Sequence, residues 1–321
     1  MAIYLITGAA GFIGSSLVRE LVSRGEQVRA LDNFETGRRE NLEDVLEHIE
    51  FHEVDILDHA ALLRVCEGVD IILHQAALPS VPLSIADPAR SHRININGTF
   101  NVLEAARHTQ VKRVIYAASS SAYGETLVLP KQECMATDPI SPYAVQKLTG
   151  EMYMRSFAKV YGMETVCLRY FNIFGPRQDP DSPYSGVLAR FITAMLRGEA
   201  PVILGDGEQT RDFTYVDNAV SANLLAAVAP AQEVAGECFN IGTAQRISLN
   251  LTVDLLREIT GYSGTIHYSS ARGGDVRHSL ADISKAGGAL GYFPLVSFKD
   301  GLKSTVEWYR TRQESRQRQC A

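Results

Sequence analysis

Residues 3–14 read Ile3-Tyr4-Leu5-Ile6-Thr7-Gly8-Ala9-Ala10-Gly11-Phe12-Ile13-Gly14, an apolar run followed by glycines at every third position. The run Ile3–Thr7 predicts a buried strand and Gly14–Ser23 predicts a helix, so the glycines form the turn between them. Such a tight turn favours residues without a Cβ, and the helix that follows turns its N-terminal N–H groups toward an anion. Three glycines in ordinary turns are the alternative, but the flanking strand and helix favour a dinucleotide-binding site.

Size and composition narrow the class of protein. The 321 residues, 45% of them hydrophobic, suffice for one large domain or two moderate ones. A net charge of -6 without a basic stripe argues against a nucleic-acid partner. The apolar runs are too short to span a membrane, and the start lacks the pattern of a signal peptide. Five scattered cysteines and eight histidines show no metal-ligand spacing, which predicts a cytoplasmic chain without a metal site.

Short apolar runs alternate with amphipathic stretches through the first half of the chain. The predicted strands are Ile3–Thr7, Gln27–Leu31, Glu50–Asp55, Val69–Gln75, Arg113–Ala118 and, after a long helix over Ser141–Tyr161, Thr165–Arg169. This alternation predicts an α/β fold with a Rossmann-type, doubly wound parallel sheet. Proline and glycine become frequent after Asn172, so we expect a nucleotide-binding domain over residues 1–171. Residues 172–321 are expected to form mainly a smaller α/β substrate domain, with room for segments that cross back.

An acidic residue ends the second predicted strand, where it can bind both ribose hydroxyls of an adenosine group. The carboxylate of Asp32 would repel a 2′-phosphate, so NAD is favoured over NADP. Arg38 and Arg39 are near enough in sequence to suggest a phosphate partner, although a solvated loop is the simpler interpretation. Asp55 ends the next strand and has two open roles: contact with the adenine amino group, or the N-cap of a helix over Leu57–Val65.

Tyr143 and Lys147 lie four residues apart on one face of the predicted long helix. A tyrosine ionises near pH ~10, and a nearby ammonium together with a positive nicotinamide ring favours the phenolate that a general base requires. The pattern Tyr-x-x-x-Lys also arises by chance in helices, so it needs support from a second feature. Ser119, Ser120 and Ser121 follow a strand directly, where doubly wound sheets bind ligands and where a hydroxyl can share a proton with Tyr143. A plain turn is the alternative for this serine run.

The order of these motifs resembles the extended short-chain dehydrogenase/reductase family, and within it the nucleotide-sugar 4-epimerases of UDP-hexoses and UDP-N-acetylhexosamines. The resemblance spans nearly the whole chain. It is carried by Thr7-Gly8-x-x-Gly11-x-x-Gly14, His74-Gln75-Ala76-Ala77, Asn97-Gly98-Thr99, Ser119-Ser120-Ser121, Tyr143-x-x-x-Lys147, Arg169-Tyr170-Phe171-Asn172, Gly205-Asp206-Gly207, Arg211-Asp212-Phe213 and Arg272-Gly273-Gly274-Asp275.

The resemblance implies a role for each matching residue. Ser119 and Tyr143 are implied as catalytic residues, with Lys147 as the electrostatic partner of Tyr143. The cofactor site is expected to comprise Gly8, Gly11, Phe12, Ile13, Gly14, Asp32, Asn33, Thr36, Gly37, Asp55, Ile56, Gln75, Ala76, Ala77, Asn97, Tyr143, Lys147 and Phe171. The substrate site is expected to comprise Ser119, Ser120, Ser121, Tyr143, Asn172, Val187, Val202, Arg211, Arg272, Asp275 and Ser279.

Within the substrate site, Arg211 and Arg272 are implied to bind the diphosphate, since two guanidinium groups suit a pyrophosphate. For Arg211, an ion pair with Asp206 or Asp212 is the alternative. Asp275 matches a position that binds the uridine ribose in the family. Cys134 is given no function, and His74 is interpreted as a packing residue at the end of a strand.

The implied reaction is inversion at C4 of a UDP-sugar through a transient 4-keto intermediate, with a tightly bound NAD that is regenerated in each cycle. Related 4,6-dehydratases and UDP-glucuronate decarboxylases carry acidic residues where this chain has Ser120-Ser121, so they are disfavoured. A non-catalytic NAD-binding protein would not need Ser119, Tyr143 and Lys147 together.

The small side chain of Ser279 indicates which sugars the substrate site accepts. In the family, a bulky residue at the position of Ser279 excludes N-acetyl groups, and the segments Arg177-Gln178-Asp179-Pro180 and Tyr184-Ser185-Gly186 resemble epimerases that prefer N-acetylated sugars. We therefore expect UDP-N-acetylglucosamine and UDP-N-acetylgalactosamine, together with UDP-glucose and UDP-galactose, as substrates; UDP-glucuronate remains the alternative. The resemblance also implies a homodimer through a four-helix bundle formed by Asn97–His108 and Tyr143–Tyr161 of each subunit.

Overall fold

A parallel sheet of seven strands forms the centre of the computed structural model, which describes residues 2–179, 186–270 and 276–319. The strands of this part of the chain are β1 (Ile3–Thr7), β2 (Gln27–Asp32), β3 (Glu50–Glu53), β4 (Ile71–His74), β5 (Arg113–Ser119), β6 (Glu164–Tyr170), β7 (Ile173–Phe174), β8 (Val202–Leu204), β9 (Thr210–Arg211), β10 (Thr214–Tyr215), β11 (Glu237–Ile241), β12 (Ile247–Ser248) and β13 (His267–Ser269). The central sheet has the order β11-β6-β5-β4-β1-β2-β3, so the strand order reverses beside β1. This arrangement confirms the predicted doubly wound fold.

Helices cover both faces of this sheet. They are α1 (Phe12–Ser23), α2 (His59–Cys66), α3 (Val81–Ala86), α4 (Pro88–His92), α5 (Thr99–His108), α6 (Pro142–Tyr161), α7 (Val187–Leu196), α8 (Val216–Val228), α9 (Ala231–Val234), α10 (Leu249–Thr260), α11 (Ser284–Leu290) and α12 (Phe298–Gln319). Side chains alternate along each strand, so Leu5 and Ile72 pack with α2, α5 and α6, whereas Ile6 and Leu73 pack with α1 and α8. Among the helices described, none is long and apolar enough to cross a membrane.

The second half of the chain adds three small two-stranded sheets but also returns to the central sheet. Strand β11 pairs with β6 in parallel, with Glu237 opposite Val166 and Ile241 opposite Tyr170. The small sheets join β10 to β7, β12 to β9 and β13 to β8. The division of the chain at residues 171 and 172 therefore stays a prediction, with β11 as one segment that crosses back.

Helix α6 begins and ends where its sequence dictates. The Oγ atom of Ser141 accepts a hydrogen bond from Ala144 N at 3.2 Å, Pro142 occupies the first turn, and Gly162 ends the helix in the left-handed conformation. Lys147 and Glu151 lie on the buried face of the helix. The first turn of this helix therefore lies beside the carboxyl end of β5.

Two contacts hold the buried face of α6 against the sheet. Lys147 Nζ donates to the carbonyl oxygen of Ala117 at 2.8 Å. Glu151 accepts from Arg169 on β6, with Oε1 at 2.9 Å from Nε and Oε2 at 2.7 Å from Nη2. Both members of this second pair are buried, so the helix is tied to two neighbouring strands.

The turn between β1 and α1 is packed backbone against backbone. Gly8 has φ +69°, and a Cβ there would lie 2.7 Å from Ala76 N, at the end of β4. A Cβ at Gly14 would lie 2.0 Å from the carbonyl oxygen of Gly8. Because both neighbours are backbone atoms that cannot rotate away, glycine is required at these two positions by the fold itself.

We predict that Gly14→Ala destabilises the folded chain by about 1–3 kcal/mol or more, because the added methyl group overlaps the Gly8 carbonyl. Chemical denaturation of both forms measures this difference. The matched control is Gly288→Ala in α11, where a Cβ meets no atom within 4 Å and alanine is the better helix former. A loss of stability in Gly288→Ala equal to that in Gly14→Ala would contradict the packing argument.

Candidate active site

An open cleft runs along the carboxyl ends of the central strands, at the point where the strand order reverses. It is lined by the first turn of α1, by residues that follow β2 and β4, by the serine run after β5, and by the start of α6. Residues after β6 and the segment 276–279 close its other end. This is the position at which doubly wound sheets bind their ligands.

The first part of the cleft fits a dinucleotide diphosphate. The predicted residues Gly8, Gly11, Phe12, Ile13 and Gly14 all line it. Gly11 is the N-cap of α1 and offers no side-chain cap, so the N–H groups of the first turn lack partners within the helix. A Cβ on Gly11 would meet only the Gly8 carbonyl oxygen, at 3.1 Å. The turn thus presents a helix N-terminus to the cleft, as anion binding requires.

Asp32 lies at the end of β2 with its carboxylate fixed by the backbone. Its Oδ2 accepts from Ala10 N at 2.9 Å and its Oδ1 from Phe34 N at 2.8 Å. Burial raises the pKa of Asp32, while these backbone hydrogen bonds lower it. A Cβ at Gly37 would come within 2.8 Å of both carboxylate oxygens, so glycine at 37 lets the loop pass close to the acid. Asn33, Thr36 and Gly37, the neighbouring predicted cofactor residues, line the cleft beside it.

The structure distinguishes between the two roles that the sequence leaves open for Asp55. Asp58 is the N-cap of α2 and accepts from Ala61 N at 3.0 Å, so the N-cap alternative for Asp55 is wrong. Asp55 instead accepts from Leu57 N and from the side chain of Asn33, and it lines the cleft together with Ile56. It stays available as the predicted adenine contact.

Gln75, Ala76 and Ala77 line the cleft after β4, and His74 lies behind them. The imidazole of His74 is hydrogen-bonded to Thr7 at 2.7 Å and to Thr99 at 3.0 Å. Burial lowers the pKa of His74 to about 3, so this side chain is neutral at ordinary pH. Its interpretation as a packing residue is confirmed.

The predicted proton-transfer groups meet at the centre of the cleft. Ser119 ends β5, and its Oγ accepts from Ser121 N at 3.2 Å and from Ser121 Oγ at 2.8 Å. Tyr143 is oriented at its backbone by the Oγ atom of Ser84 in α3, which accepts from Tyr143 N at 3.0 Å. Burial raises the pKa of the Tyr143 phenol above its ordinary value, and a hydrogen bond with Ser119 lowers it in part.

Lys147 is buried below Tyr143. Besides its bond to the Ala117 carbonyl, its ammonium lies 4.9 Å from the centre of the Tyr116 ring. Burial lowers the pKa of Lys147 to about 8, against a smaller opposing effect of Glu151. The protein's own groups therefore leave the Tyr143 phenol protonated at neutral pH, so the phenolate expected of a general base needs a further positive charge beside it.

The far end of the cleft holds three of the predicted substrate residues. Asn172, Arg211 and Ser279 line it, and Phe171 is buried beside them. Asp206 pairs with Arg277 at 2.7 Å, and Asp212 accepts hydrogen bonds from Thr243, Ala244 and Ala281, so both carboxylates have partners other than Arg211. Arg272 and Asp275 lie outside the described residues.

Three predicted site residues are not brought to the cleft. Asn97 is exposed in a π-helical turn over Arg93–Gly98, whereas Asn95 is buried and holds the backbone of Leu78 through both its amide atoms. The two asparagines lie two residues apart and so point to different sides of the helix. Val187 packs against the core, and Val202 is exposed on β8.

Several cleft residues were not predicted from the motifs. They include Leu78, Pro79, Ser80, Val81, Ile85, Lys131 and His278, whereas Arg177 and Asp179 belong to a segment that the sequence had singled out without a role for each residue. The loop after β4 could have been anticipated, because it follows the carboxyl end of a central strand. Arg38 lines the cleft and forms an ion pair with Asp179 at 2.6 Å, whereas Arg39 is 64% exposed and pairs with Glu53 at the surface, so the interpretation as a solvated loop holds for Arg39 and not for Arg38.

Four features occur together in this cleft: the glycine turn, the carboxylate at a strand end, the serine run and the helix with Tyr-x-x-x-Lys. Together they define a dinucleotide-dependent enzyme of the short-chain dehydrogenase/reductase type. Residues 4–242 match the NAD dependent epimerase/dehydratase family, and the chain belongs to this family. The predicted resemblance and the predicted NAD cofactor are thereby confirmed.

Three solved structures illustrate what this chain is similar to. A UDP-glucose 4-epimerase with UDP-glucose from Thermotoga maritima is 42% identical over 97% of this chain and 99% of its own, with a TM-score of 0.92. A UDP-N-acetylglucosamine 4-epimerase from Methanobrevibacter ruminantium in complex with UDP-N-acetylmuramic acid is 37% identical over 97% and 99%, with a TM-score of 0.92. A UDP-glucuronic acid 4-epimerase from Bacillus cereus with UDP-glucuronic acid and NAD is 34% identical over 97% and 99%, with a TM-score of 0.89. The chain is an enzyme of the UDP-sugar 4-epimerase family.

Proposed function

We propose that this enzyme inverts C4 of UDP-N-acetylglucosamine and UDP-N-acetylgalactosamine, and that it also accepts UDP-glucose and UDP-galactose. The observation that carries the proposal is a small side chain, Ser279, in the cleft that also holds Ser119 and Tyr143. Its backbone N–H is bonded to the Thr210 carbonyl at 3.1 Å, so its position in the wall is set by the strand beside it.

The cofactor site supports tight binding of NAD. The α1 N-terminus would hold the diphosphate, Asp32 the adenosine ribose, and Lys147 with Tyr143 the nicotinamide end. When bound there, NAD⁺ supplies a hydride acceptor that later returns the hydride, and a positive charge that favours the Tyr143 phenolate. Because no net oxidation occurs, the nucleotide need not leave between cycles.

Tyr143 and Ser119 have separate roles in the proton transfer. Tyr143 takes the proton of the sugar 4-hydroxyl as a general base, and the hydroxyl of Ser119, within hydrogen-bonding contact of it, positions the substrate oxygen. The same phenol returns the proton once the sugar has presented its other face. The Ala117 carbonyl and the Tyr116 ring hold the Lys147 ammonium in place, so this group stays near the proton transfer.

The diphosphate anchors the substrate while the 4-keto sugar turns. Arg211 lines the far end of the cleft, and its Nη1 donates to the carbonyl oxygens of Thr210 and Arg277. Asn172 lies nearby with φ +37° and donates from Nδ2 to the Asp212 carbonyl. We assign the substrate diphosphate to these two side chains and to Arg272, and the uridine ribose to Asp275, on the family pattern.

UDP-glucuronate is the second candidate substrate, and Lys131 favours it. This lysine lines the cleft and is only 3% exposed, and its ammonium donates to the Thr126 carbonyl. Within the described residues, no carboxylate forms an ion pair with it. A buried cation without a counter-ion is unfavourable, so a substrate carboxylate would be a suitable partner.

We propose a homodimer through α5 and α6, and a cytoplasmic location on the cysteine pattern. Both helices expose large apolar side chains: Phe100 on α5, and Val145, Met152, Val160 and Tyr161 on α6. Val145 and Met152 lie two turns apart on the same side of α6, and the Phe100 ring lies 5.4 Å from that of Tyr153, so α5 packs beside α6. An exposed apolar patch of this kind marks an interaction surface.

We predict that Tyr143→Phe lowers kcat by about 100- to 10,000-fold, because the general base is removed while the ring remains. The measurement is interconversion of UDP-N-acetylhexosamines without added NAD. Tyr153→Phe on the same helix is the matched control and should keep its activity, since its contact with Phe100 needs only a ring. Full activity of Tyr143→Phe, or turnover that consumes added NAD, would exclude the proposed cycle.

We predict that Ser279→Tyr abolishes turnover of the N-acetylated sugars and spares UDP-glucose and UDP-galactose, because a phenol fills the space of the acetamido group. Ser279→Ala is the control that keeps the space and should act on both pairs. An equal loss on both pairs in Ser279→Tyr would show that this residue does not select the sugar. Turnover of UDP-glucuronate that exceeds all four other sugars would favour the second candidate.

We predict that Met152→Glu shifts the chain from dimer to monomer, because it places a charge in the exposed apolar patch of α6. Sedimentation equilibrium at micromolar concentration measures the change. Val228→Glu, at an exposed apolar position on α8, is the control and should stay dimeric. A monomeric unmodified chain would end the dimer proposal.

A further inference from the structure

The chain carries two opposite signals for the choice of cofactor. Asp32 at the end of β2 favours NAD, because a carboxylate there repels a 2′-phosphate. Arg38 follows six residues later, and an arginine close to this position is what accommodates the 2′-phosphate of NADP. An unengaged guanidinium beside Asp32 would therefore weaken the preference for NAD.

The structure places the backbone of Arg38 beside both parts of the predicted adenosine site. Its N–H donates to the Ala10 carbonyl at 3.0 Å, and Ala10 belongs to the glycine turn. The preceding residue, Gly37, packs so closely on Asp32 that a Cβ would lie 2.7 Å from the carboxylate. The side chain of Arg38 thus starts next to the acid and lines the cleft.

The guanidinium of Arg38 is directed to a residue from the other half of the chain. Its Nη2 lies 2.6 Å from Oδ2 of Asp179, and the two side chains are 32% and 30% exposed. Asp179 is held in place through its neighbour Gln178, whose carbonyl accepts from the Tyr309 hydroxyl of α12 at 2.6 Å. This hydrogen bond holds the backbone next to Asp179 without involving Arg38.

Arg39 has a different environment and does not compete for this role. It pairs with Glu53 at the end of β3 and lies 4.0 Å over the ring of Phe34. It is not among the residues that line the cleft. Of the two arginines, only Arg38 faces the adenosine end.

We infer that Asp179 is a positioning residue for cofactor selectivity: it holds the Arg38 guanidinium away from the ribose 2′ position, so that the carboxylate of Asp32 alone acts there. The inference rests on the NAD dependence of the family and not on the identity of the sugar. Removing the charge of Asp179 weakens this ion pair, so a 2′-phosphate would compete better for the Arg38 guanidinium.

The test is the nucleotide content of the folded protein. Purified Asp179→Asn and unmodified chain are each equilibrated with equal NAD⁺ and NADP⁺, freed of unbound nucleotide, denatured, and the released nucleotides are quantified. We expect the NADP⁺ share to rise about tenfold in Asp179→Asn, because a charge-assisted hydrogen bond becomes available. Asp179→Glu keeps the ion pair and should keep the NADP⁺ share of the unmodified chain.

The double variant Asp179→Asn/Arg38→Gln separates the role of Arg38 from other effects, and it should lose the gain in NADP⁺. An unchanged NADP⁺ share in Asp179→Asn, or a gain that persists in the double variant, overturns the inference. An equal fall in both nucleotides would also overturn it, because Asp179 would then only fasten its segment. Nucleotide released by the unmodified chain checks the cofactor site separately.

Discussion

Backbone contact at the first turn is the constraint on which the rest of the molecule depends. Gly8 is pressed against the end of β4, and Gly14 is pressed against Gly8 itself. This contact brings the N-terminus of α1 to the carboxyl end of β1, where the strand order reverses and the sheet opens into a cleft. Without it, neither the uncapped N-terminus of α1 nor the Asp32 carboxylate, which accepts from Ala10 N of the same turn, would lie at the cleft.

The second requirement is the position of α6 along the sheet. Lys147 donates to the Ala117 carbonyl on β5, and Glu151 is paired with Arg169 on β6, so the helix is held at two points one turn apart. Tyr143 is thereby set beside Ser119 at the strand end. Tyr143 therefore owes its position to contacts that other residues of α6 make with the sheet.

Burial and charge act against each other throughout this cleft. Burial raises the pKa of Asp32 and of Tyr143 and lowers the pKa of Lys147 to about 8, so each charged form is disfavoured by its surroundings. Backbone N–H groups compensate in part for Asp32, whereas among the described residues the hydroxyl of Ser119 does so for Tyr143. A positively charged nicotinamide ring would supply what the side chains do not, which links proton transfer to the presence of the cofactor.

The sequence alone determined the strand and helix alternation, the glycine turn, the acidic residue at the end of β2 and the Tyr143–Lys147 pair, because local spacing encodes each of them. Only the tertiary structure decided that Asn95 rather than Asn97 is buried beside the cleft, since a π-helical turn changes which side each residue occupies. The same holds for Arg38, whose partner Asp179 is 141 residues away in the chain. Pairings of this kind depend on how distant segments pack, and no local pattern records them.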